Sequence, residues 1–314
     1  MYRSILVPLD GSTLAEQALP IARGIVSRIG AGAKLQLVLV HVPTPARYAD
    51  GVLIFDETLE TQVREHEHNY LNNVIKKLAL GPEVSVTAEV LSGRIGKVDE
   101  ILHDHIVNTG VNLVVMATHG HGPLARFWLG SVTDKLIRQS VKPILLVPVR
   151  EKTEETPDLT REEIFQHILI PLDGSAFSEQ ILEHVVGLGK LMEADYTLLQ
   201  VVEPVVQVGY SINEEIIRLN QILREHIQTE AQKYLDSVAE RLRVWSLQVQ
   251  TRVIIDRHPA TAILEEASRQ GIDLIAMETH GRGGLTRLLI GSVADKVLRG
   301  TSIPVLLHRP RSEP

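Results

Sequence analysis

The 314-residue chain contains one long sequence pattern twice, and this internal repeat restricts its possible folds more than any other feature. Residues 4–12 (SILVPLDGS) return as residues 167–175 (HILIPLDGS), a shift of 163 positions. Residues 129–134 (LGSVTD) return as residues 290–295 (IGSVAD), a shift of 161 positions. Because the register changes by only two positions over the whole pattern, it indicates a tandem duplication of one domain of about 145 residues and not a short solenoid repeat.

A polar segment lies between the two copies. Residues 151–163 (EKTEETPDLTREE) are rich in acidic side chains and contain a proline, a composition that is typical of linkers. We therefore predict a first domain over residues 1–150, an acidic linker over residues 151–163 and a second domain over residues 164–314.

Each copy alternates short apolar segments with longer segments of helical periodicity. In the first copy we expect strands at residues 5–9, 35–42, 84–90, 113–117 and 143–147, and helices at 13–29, 58–80, 98–107 and 131–139. In the second copy we expect strands at residues 168–172, 196–202, 247–255, 274–277 and 305–307, and helices at 178–192, 214–243, 260–268 and 293–298. This alternation predicts the α/β class, with two tandem five-stranded parallel-sheet domains and helices on both faces. We expect Rossmann-like domains with flavodoxin-like strand order.

The most informative segment of each copy runs from a predicted strand through a glycine-containing loop into a predicted helix. It covers residues 116–134 (MATHGHGPLARFWLGSVTD) and residues 277–295 (METHGRGGLTRLLIGSVAD). The unpaired N–H groups and the dipole of a helix start favour an anion there. We expect Ser131 to cap the first of these helices, with Asp134 placed as in a capping box. The segment is predicted to hold a di- or triphosphate, and a turn that only needs glycine is the open alternative.

Two further residue types recur in positions that suit a ligand. Asp10 and Asp173 follow the first predicted strand of each copy, and ligands of open α/β sheets bind beyond the carboxyl ends of strands. Each carboxylate could accept hydrogen bonds from a base or a ribose, or form an Asx-type turn that caps its own helix, and both alternatives stay open. Arg126 and Arg287 also recur and suit phosphate oxygens, although an exposed loop arginine would give the same pattern.

Histidines suggest a metal or a transferase site in the first copy only. His119 recurs as His280, and His119 with His121 could form a metal pair. Residues 118–121 (THGH) are also similar to a nucleotidyl-transfer motif. Arg282 replaces His121 in the second copy, so the pair is not repeated and a metal site is not expected.

Composition argues against several classes of protein. The absence of cysteine excludes disulfides and thiolate metal sites, and a net charge of −7 gives no electrostatic reason to expect nucleic acid. No apolar run approaches the ~20 residues of a membrane helix, and the first residues lack a signal-peptide pattern. We therefore expect a cytoplasmic protein with no membrane partner. Strong catalysis is not indicated, because a nucleophile elbow and a Gly-Lys-Ser/Thr loop are missing.

At these motifs the chain resembles the universal stress protein family in its tandem two-domain form. The nucleotide motif of that family is Gly, two residues, Gly, nine residues, Gly and then Ser or Thr. Both copies keep the last three of these, as Gly120, Gly130 and Ser131 and as Gly281, Gly291 and Ser292. The first glycine is replaced by Ala117 and by Glu278. The opening Pro-x-Asp of the family also matches in both copies.

The resemblance implies a five-stranded α/β fold that holds ATP, alone or with Mg²⁺, without a metal site built by the protein. The binding groups would be the aspartate, a valine after the second strand and the glycine loop. In the first copy the predicted nucleotide-binding residues are Pro8, Asp10, Gly11, Ser12, Val42, Ala117, His119, Gly120, Gly122, Arg126, Gly130, Ser131, Val132 and Thr133. In the second copy they are Pro171, Asp173, Gly174, Ser175, Val201, His280, Gly281, Gly283, Arg287, Gly291, Ser292 and Val293. The resemblance also implies that the two domains pair within one chain through their last strands, and it leaves a homodimer open.

The sequence therefore predicts a cytoplasmic stress-response protein that binds ATP or a related adenine nucleotide as a regulator and not as a fast enzyme. One alternative is a nucleotide-free family member that acts as a protein-interaction module. A more distant alternative is a nucleotidyl-transfer enzyme that uses residues 118–121. Because Glu278 adds a carboxylate where the family has glycine, we expect the first copy to be the better binder.

Overall fold

The computed structural model describes residues 2–43, 47–49, 52–54, 56–94, 96–118, 129–149, 157–204, 214–279 and 290–309. The chain divides into two compact units, Met1–Ile164 and Phe165–Pro314. None of the described helices is both long enough and apolar enough to cross a membrane.

The first unit is built on five parallel strands joined by helices. Its described elements are β1 (Ser4–Leu9), α1 (Thr13–Glu16), α2 (Leu19–Ile29), β2 (Ala33–His41), β3 (Arg47–Ala49), β4 (Val52–Ile54), α3 (Glu57–Leu78), β5 (Val84–Ser92), α4 (Val98–Asn108), β6 (Leu113–Ala117), α5 (Ser131–Gln139) and β7 (Ile144–Val147). The strand order is β7-β6-β1-β2-β5, with all four pairs parallel. Strands β3 and β4 form a separate antiparallel pair, which the sequence pattern did not predict.

The second unit repeats this plan. Its described elements are β8 (His167–Pro171), α6 (Ala176–Glu179), α7 (Ile181–Met192), β9 (Asp195–Val202), α8 (Glu214–Arg243), β10 (Val249–Ile255), α9 (Pro259–Arg269), β11 (Leu274–Glu278), α10 (Ser292–Gly300) and β12 (Val305–His308). The strand order is β10-β9-β8-β11-β12, again with all four pairs parallel.

The α/β class with tandem parallel sheets is confirmed, and the predicted strand order is wrong. Counted in sequence order, the parallel strands of each unit lie as 3-2-1-4-5, which is the Rossmann order and not the flavodoxin-like 2-1-3-4-5. An apolar strand pattern predicts parallel pairing but does not say at which edge the next strand is added. With right-handed crossovers, this order puts α2 and α3 on one face and α4 and α5 on the other.

The apolar pattern of each strand follows its place in the sheet. The inner strand β6 is buried at every residue, as expected of a strand covered on both faces. The strands β5 and β10, which each have one described neighbour within their unit, alternate between buried or half-buried and exposed residues over most of their length.

The first predicted helix of each copy is interrupted after one turn. The N–H groups of Gln17 and Gln180 bond three residues back, to Leu14 and Phe177, at 3.2 Å each. This tighter spacing separates α1 from α2 and α6 from α7. Pro20 near the start of α2 is not the shared cause, because Glu183 occupies that position in the second unit.

The described end of the predicted linker packs on the first unit. Leu159 is buried, and the Glu163 N–H donates to the Pro20 carbonyl at 3.2 Å. A Cβ at Gly24 would lie 2.3 Å from the Glu163 carbonyl oxygen, so this close approach requires glycine. Residues 157–163 therefore belong to the first compact unit.

Candidate functional site

The predicted site residues of the first unit meet at one end of the sheet. Asp10 follows β1 and Thr118 follows β6, and these strands are parallel neighbours, with Ile5 opposite Leu113. The chain leaves β1 toward β2 on one side and leaves β6 toward β7 on the other. A crevice opens where strand connections diverge in this way, and it is the usual ligand site of such sheets. Val42 follows β2, the other neighbour of β1, at the same end.

Asp10 forms the Asx-type turn that was one of its two predicted roles. Its Oδ1 accepts hydrogen bonds from the Ser12 N–H at 3.0 Å and from the Ser12 hydroxyl at 2.6 Å. The Ser12 Oγ in turn accepts the Ala15 N–H at 3.1 Å and caps α1. Gly11 between them has φ +82°, which favours glycine. Asp10 is exposed, so its carboxylate is fixed in direction and accessible to solvent.

The second unit has the same turn. Asp173 Oδ1 accepts from the Ser175 N–H at 2.9 Å and from the Ser175 hydroxyl at 2.6 Å. The Ser175 Oγ accepts the Ser178 N–H at 3.2 Å, and Gly174 has φ +83°. The shared geometry shows that the repeated Asp-Gly-Ser sequence specifies one local structure twice.

The glycine loop is closed at its base by the backbone. The Gly130 N–H donates to the Thr118 carbonyl at 3.0 Å, and the Thr118 N–H donates to the Val147 carbonyl at 2.9 Å. In the second unit the Gly291 N–H donates to the Thr279 carbonyl at 2.7 Å. These bonds hold the start of each loop against the start of the following helix.

The predicted capping by Ser131 is wrong. Gly130 is the N-cap of α5 and, as a glycine, offers no side chain to cap it, and Ser131 is the first helical residue. Asp134 does not complete a capping box, because its carboxylate pairs with Arg138 at 2.8 and 2.9 Å. Gly130, and not Ser131, is the N-cap because its hydrogen bond to the Thr118 carbonyl fixes its backbone in the extended conformation. The first N–H groups of α5 therefore have no side-chain acceptor from a cap, which suits an anion.

The second unit ends its loop in the same way. Gly291 is the N-cap of α10, without a side-chain cap bond, and Ser292 is the first helical residue. Asp295 pairs with Arg299 at 2.9 Å. Val132, Thr133 and Val293 lie in the first turns of these helices.

The strand register corrects one predicted equivalence. Pro8 lies opposite Val38 and Pro171 lies opposite Leu199. Val201 therefore corresponds to Val40, inside the strand, and the counterpart of Val42 is Glu203. The sequence missed this because both segments contain several valines and differ by a register shift.

Several predicted site residues lie outside the described residues. These are His119, Gly120, Gly122, Arg126, His280, Gly281, Gly283 and Arg287. Their roles stay predictions. Elsewhere, among the residues that the structure describes, no group of three His, Asp or Glu side chains is arranged to hold a metal ion.

A tyrosine–glutamate pair beside each aspartate was missed. In the second unit the Tyr234 hydroxyl donates to Glu179 Oε1 at 3.0 Å, and Arg241 also pairs with Glu179. Burial raises the pKa of the Tyr234 hydroxyl, and the charges of Glu179 and Asp173 add to this. The hydroxyl therefore stays a donor near the site.

The first unit has tyrosine and glutamate in the same positions, as Tyr70 and Glu16, but no described group forms a hydrogen bond with the Tyr70 hydroxyl. Burial and the neighbouring carboxylates of Glu16 and Asp10 raise the pKa of the Tyr70 hydroxyl. Glu16 is only 6% exposed. Comparison of the two copies could have found these residues, since the two glutamates lie 163 positions apart and the two tyrosines 164.

A buried histidine marks the end of β2 in the first unit. His41 is 1% exposed, with Nδ1 2.8 Å from Glu67 Oε2 and Nε2 2.7 Å from Glu60 Oε2. Both carboxylates belong to α3, so the His41 ring connects this helix to β2, the strand that precedes Val42. Val202 holds the corresponding position in the second unit.

A second buried polar cluster lies at the end of β11 and β12. Glu278 and His308 face each other across the strands, with His308 Nδ1 2.9 Å from Glu278 Oε1 and 3.1 Å from Oε2. Their side chains are only 1% and 3% exposed. The His184 ring, from α7, lies 4.1 Å from the His308 ring between centroids. Burial raises the pKa of the Glu278 carboxyl to about 9.

This cluster changes the interpretation of Glu278. Its carboxylate is enclosed between two strands and a helix, and does not stand at the open mouth of the loop. In the first unit the same three positions hold Ala117, Val147 and Ile21, all buried and apolar. The sequence signal was present, because the polar residues replace apolar ones at all three positions together.

The fold and the site define a class of protein. The chain is a tandem of two Rossmann-like α/β domains, each with an Asx turn and an uncapped helix start at the strand-order switch. The model of the universal stress protein family matches residues 1–148 and 164–309, and the chain belongs to that family.

Relatives and solved structures agree with this assignment. A universal stress protein of Mycobacterium tuberculosis is 28% identical over 287 residues, which cover 88% of each chain. One from Methanocaldococcus jannaschii is 31% identical over 153 residues, or 48% of this chain and 87% of the relative. The crystal structure of a universal stress protein from Archaeoglobus fulgidus matches with a TM-score of 0.61 at 17% identity, covering 98% of this chain and 96% of that one. At this identity the structural likeness supports the fold alone.

Proposed function

We propose that the protein binds ATP or a related adenine nucleotide in the first domain, as a regulator and not as a fast enzyme. The observation that carries this proposal is the helix start at Gly130, which has no side-chain cap and is held by Thr118 beside the exposed carboxylate of Asp10. Membership of the family supports it. A cytoplasmic location, pairing of the two domains and a homodimer stay predictions.

Each part of a nucleotide has a matching group in this arrangement. The first N–H groups of α5 would receive the phosphates, because they carry the positive end of the helix dipole. Asp10 would accept hydrogen bonds from the base or the ribose, since its turn fixes the carboxylate at the neighbouring strand end. Val42, half-buried after β2, would contact the base.

The Ser12 hydroxyl beside Asp10 is unsuited to be a nucleophile. Ser12 donates to Asp10 and accepts the Ala15 N–H, so both its proton and its oxygen are engaged in the turn. A bound nucleotide would therefore act through conformation or partner choice.

Substitution of Gly130 tests the proposal, because the site can accept a side chain. A Cβ there would lie 3.6 Å from the Thr118 carbonyl oxygen, an ordinary contact, and the φ of −54° suits any residue. Gly130→Asp would cap α5 with its own carboxylate, since Asp is a preferred N-cap, and would exclude phosphate. We expect ATP affinity in calorimetry to fall by 100-fold or more, on the order of 3 kcal/mol, with folding preserved.

Gly130→Asn is the matched control. It adds the same shape and a cap without the charge, so it should weaken ATP binding less than Gly130→Asp does. Both variants are measured with the second site disabled by Gly291→Asp. Equal ATP affinity for the wild type and Gly130→Asp, or no ATP binding by the wild type at millimolar concentration, would overturn the proposal and favour the interaction module.

A further inference from the structure

The Glu278–His308–His184 cluster is placed to influence the loop of the second domain. Glu278 is the last residue of β11, and the next residue, Thr279, donates its N–H to the His308 carbonyl at 2.9 Å. The Thr279 carbonyl accepts the Gly291 N–H at 2.7 Å. The backbone of Glu278 therefore lies on the order of 10 Å from the N-terminus of α10.

The charge of the buried pair depends on one proton. With Glu278 protonated and His308 neutral, or with both ionised, the pair has no net charge. When that proton leaves, the carboxylate keeps its hydrogen bond from His308 Nδ1, but the pair carries one buried negative charge. Burial disfavours the charged state, as the raised pKa of Glu278 shows.

Other titratable groups lie on the elements around the pair. Within the described residues, the remaining titratable groups of α7, Glu183 and Lys190, are exposed. On α6, Glu179 is engaged by Tyr234 and Arg241. His167 lies at the opposite end of β8.

Other charged side chains at this end include Arg309, which directly follows His308 and is positive, and Asp173, which follows β8, the neighbour of β11, and is negative. Because these two charges have opposite signs, loss of the proton from the pair still adds one negative charge for a nucleotide phosphate at the start of α10 to meet.

We infer that this cluster is a proton-binding site that makes nucleotide binding by the second domain depend on pH. The inference rests on the proposed function. The second domain binds the anionic nucleotide when the pair holds its proton, and binding weakens as the pair loses it. The first domain, with Ala117, Val147 and Ile21 in these positions, lacks this dependence.

The test measures ATP affinity by calorimetry from pH 7.5 to 9.5, where the phosphates of ATP are already fully ionised. The second domain is followed in the full chain carrying Gly130→Asp, and the first domain in the chain carrying Gly291→Asp. The Glu278 carboxyl packs toward α7, on the face of the sheet away from α10, so its charge lies farther from the phosphate than its backbone does. At ~10–15 Å and an effective dielectric of ~20, one charge pair corresponds to roughly a five- to fifteenfold change in affinity. We expect the affinity of the second domain to fall by about that factor or more, while the first stays constant.

The matched variant gives the second domain the residues of the first. Glu278→Ala/His308→Val/His184→Ile should retain ATP binding at pH 7.5 and lose the pH dependence. Calorimetry in two buffers of different ionisation enthalpy should show proton uptake on ATP binding at pH 9 for the second domain, and none for the triple variant.

The outcomes separate this inference from the proposed function. Equal pH dependence in the two domains, persistence of the dependence in the triple variant, or ATP binding by the first domain alone at every pH would overturn the inference and leave the proposed function intact. Absence of ATP binding by both domains at every pH would overturn the proposed function, and the inference with it.

Discussion

The two domains have the same strand order and the same local site, but their buried polar clusters lie at different strand ends. The cluster of the first domain lies at the end of β2, where His41 is held between Glu60 and Glu67. The second domain has Val202 at that position, and its cluster, with Glu278 and His308, lies at the ends of β11 and β12. A Rossmann-like sheet thus accepts a buried polar cluster at more than one strand end, provided that its members change together.

The largest expected effect comes from breaking one cluster in half. His308→Val leaves the Glu278 carboxyl buried without its hydrogen-bond partner, and an unsatisfied buried group that can ionise costs about 3 kcal/mol or more of unfolding free energy. Glu278→Ala/His308→Val restores the apolar pair of the first domain and should cost far less. Denaturant unfolding, followed by Trp245 fluorescence in a Trp128→Phe background, reports the second domain because Trp245 is then the sole tryptophan. If the single and double variants were equally stable, the two residues would not act as a pair.

An intermediate loss of stability is expected when the His41 cluster of the first domain is broken. His41→Val introduces the residue of the second domain but leaves Glu60 and Glu67, at 19% and 17% side-chain exposure, without the ring between them. We expect a loss of about 2–3 kcal/mol, because hydrogen bonds to charged groups contribute ~1.5–3 kcal/mol each and partial exposure reduces this. Urea unfolding followed by Trp128 in a Trp245→Phe background measures it. His41→Val/Glu60→Gln/Glu67→Gln should recover part of the loss, and no recovery would show that charge is not the cause.

The smallest effect, measured as the change across a single pH unit, is on the pH dependence of stability. The folded pKa of Glu278, about 9, is raised above the ordinary 4.5, so the folded state holds a proton that the unfolded state has lost between these values. The stabilisation is complete below pH 4.5 and is lost as pH rises toward 9, by at most about 1.4 kcal/mol per pH unit. We expect the unfolding free energy of the second domain to decline over this window more steeply in the wild type than in Glu278→Ala/His308→Val. Parallel curves for the two proteins would contradict the raised pKa.

The difference between the domains also shows what the sequence could and could not predict. Alternating apolar and helical periods predicted the α/β class, because burial imposes those periods on any strand or helix. The order 3-2-1-4-5 was not predicted, because it depends on contacts between distant strands. The position of Asp10 followed from the repeat, but the N-cap role of Gly130 depended on a bond to Thr118, twelve residues away.

The buried clusters were missed for a related reason. Glu278 and His308 are thirty residues apart and His184 is farther still, so no local pattern joins them. Only the three-dimensional register shows that Glu278 is opposite His308 and that Ala117 is opposite Val147. From the sequence alone, a position-by-position comparison of the two copies would have shown that polar residues replace apolar ones at these three positions together.

The closed base of the glycine loop has a consequence for how such proteins can diversify. The bond between Gly130 and Thr118, and that between Gly291 and Thr279, fix the ends of each loop before its own side chains are considered. Residues 119–129 and 280–290 are equal in length and start and finish at the same backbone positions. Substitutions within either loop are therefore expected to leave these hydrogen bonds at its ends, and those of the sheet beneath, intact.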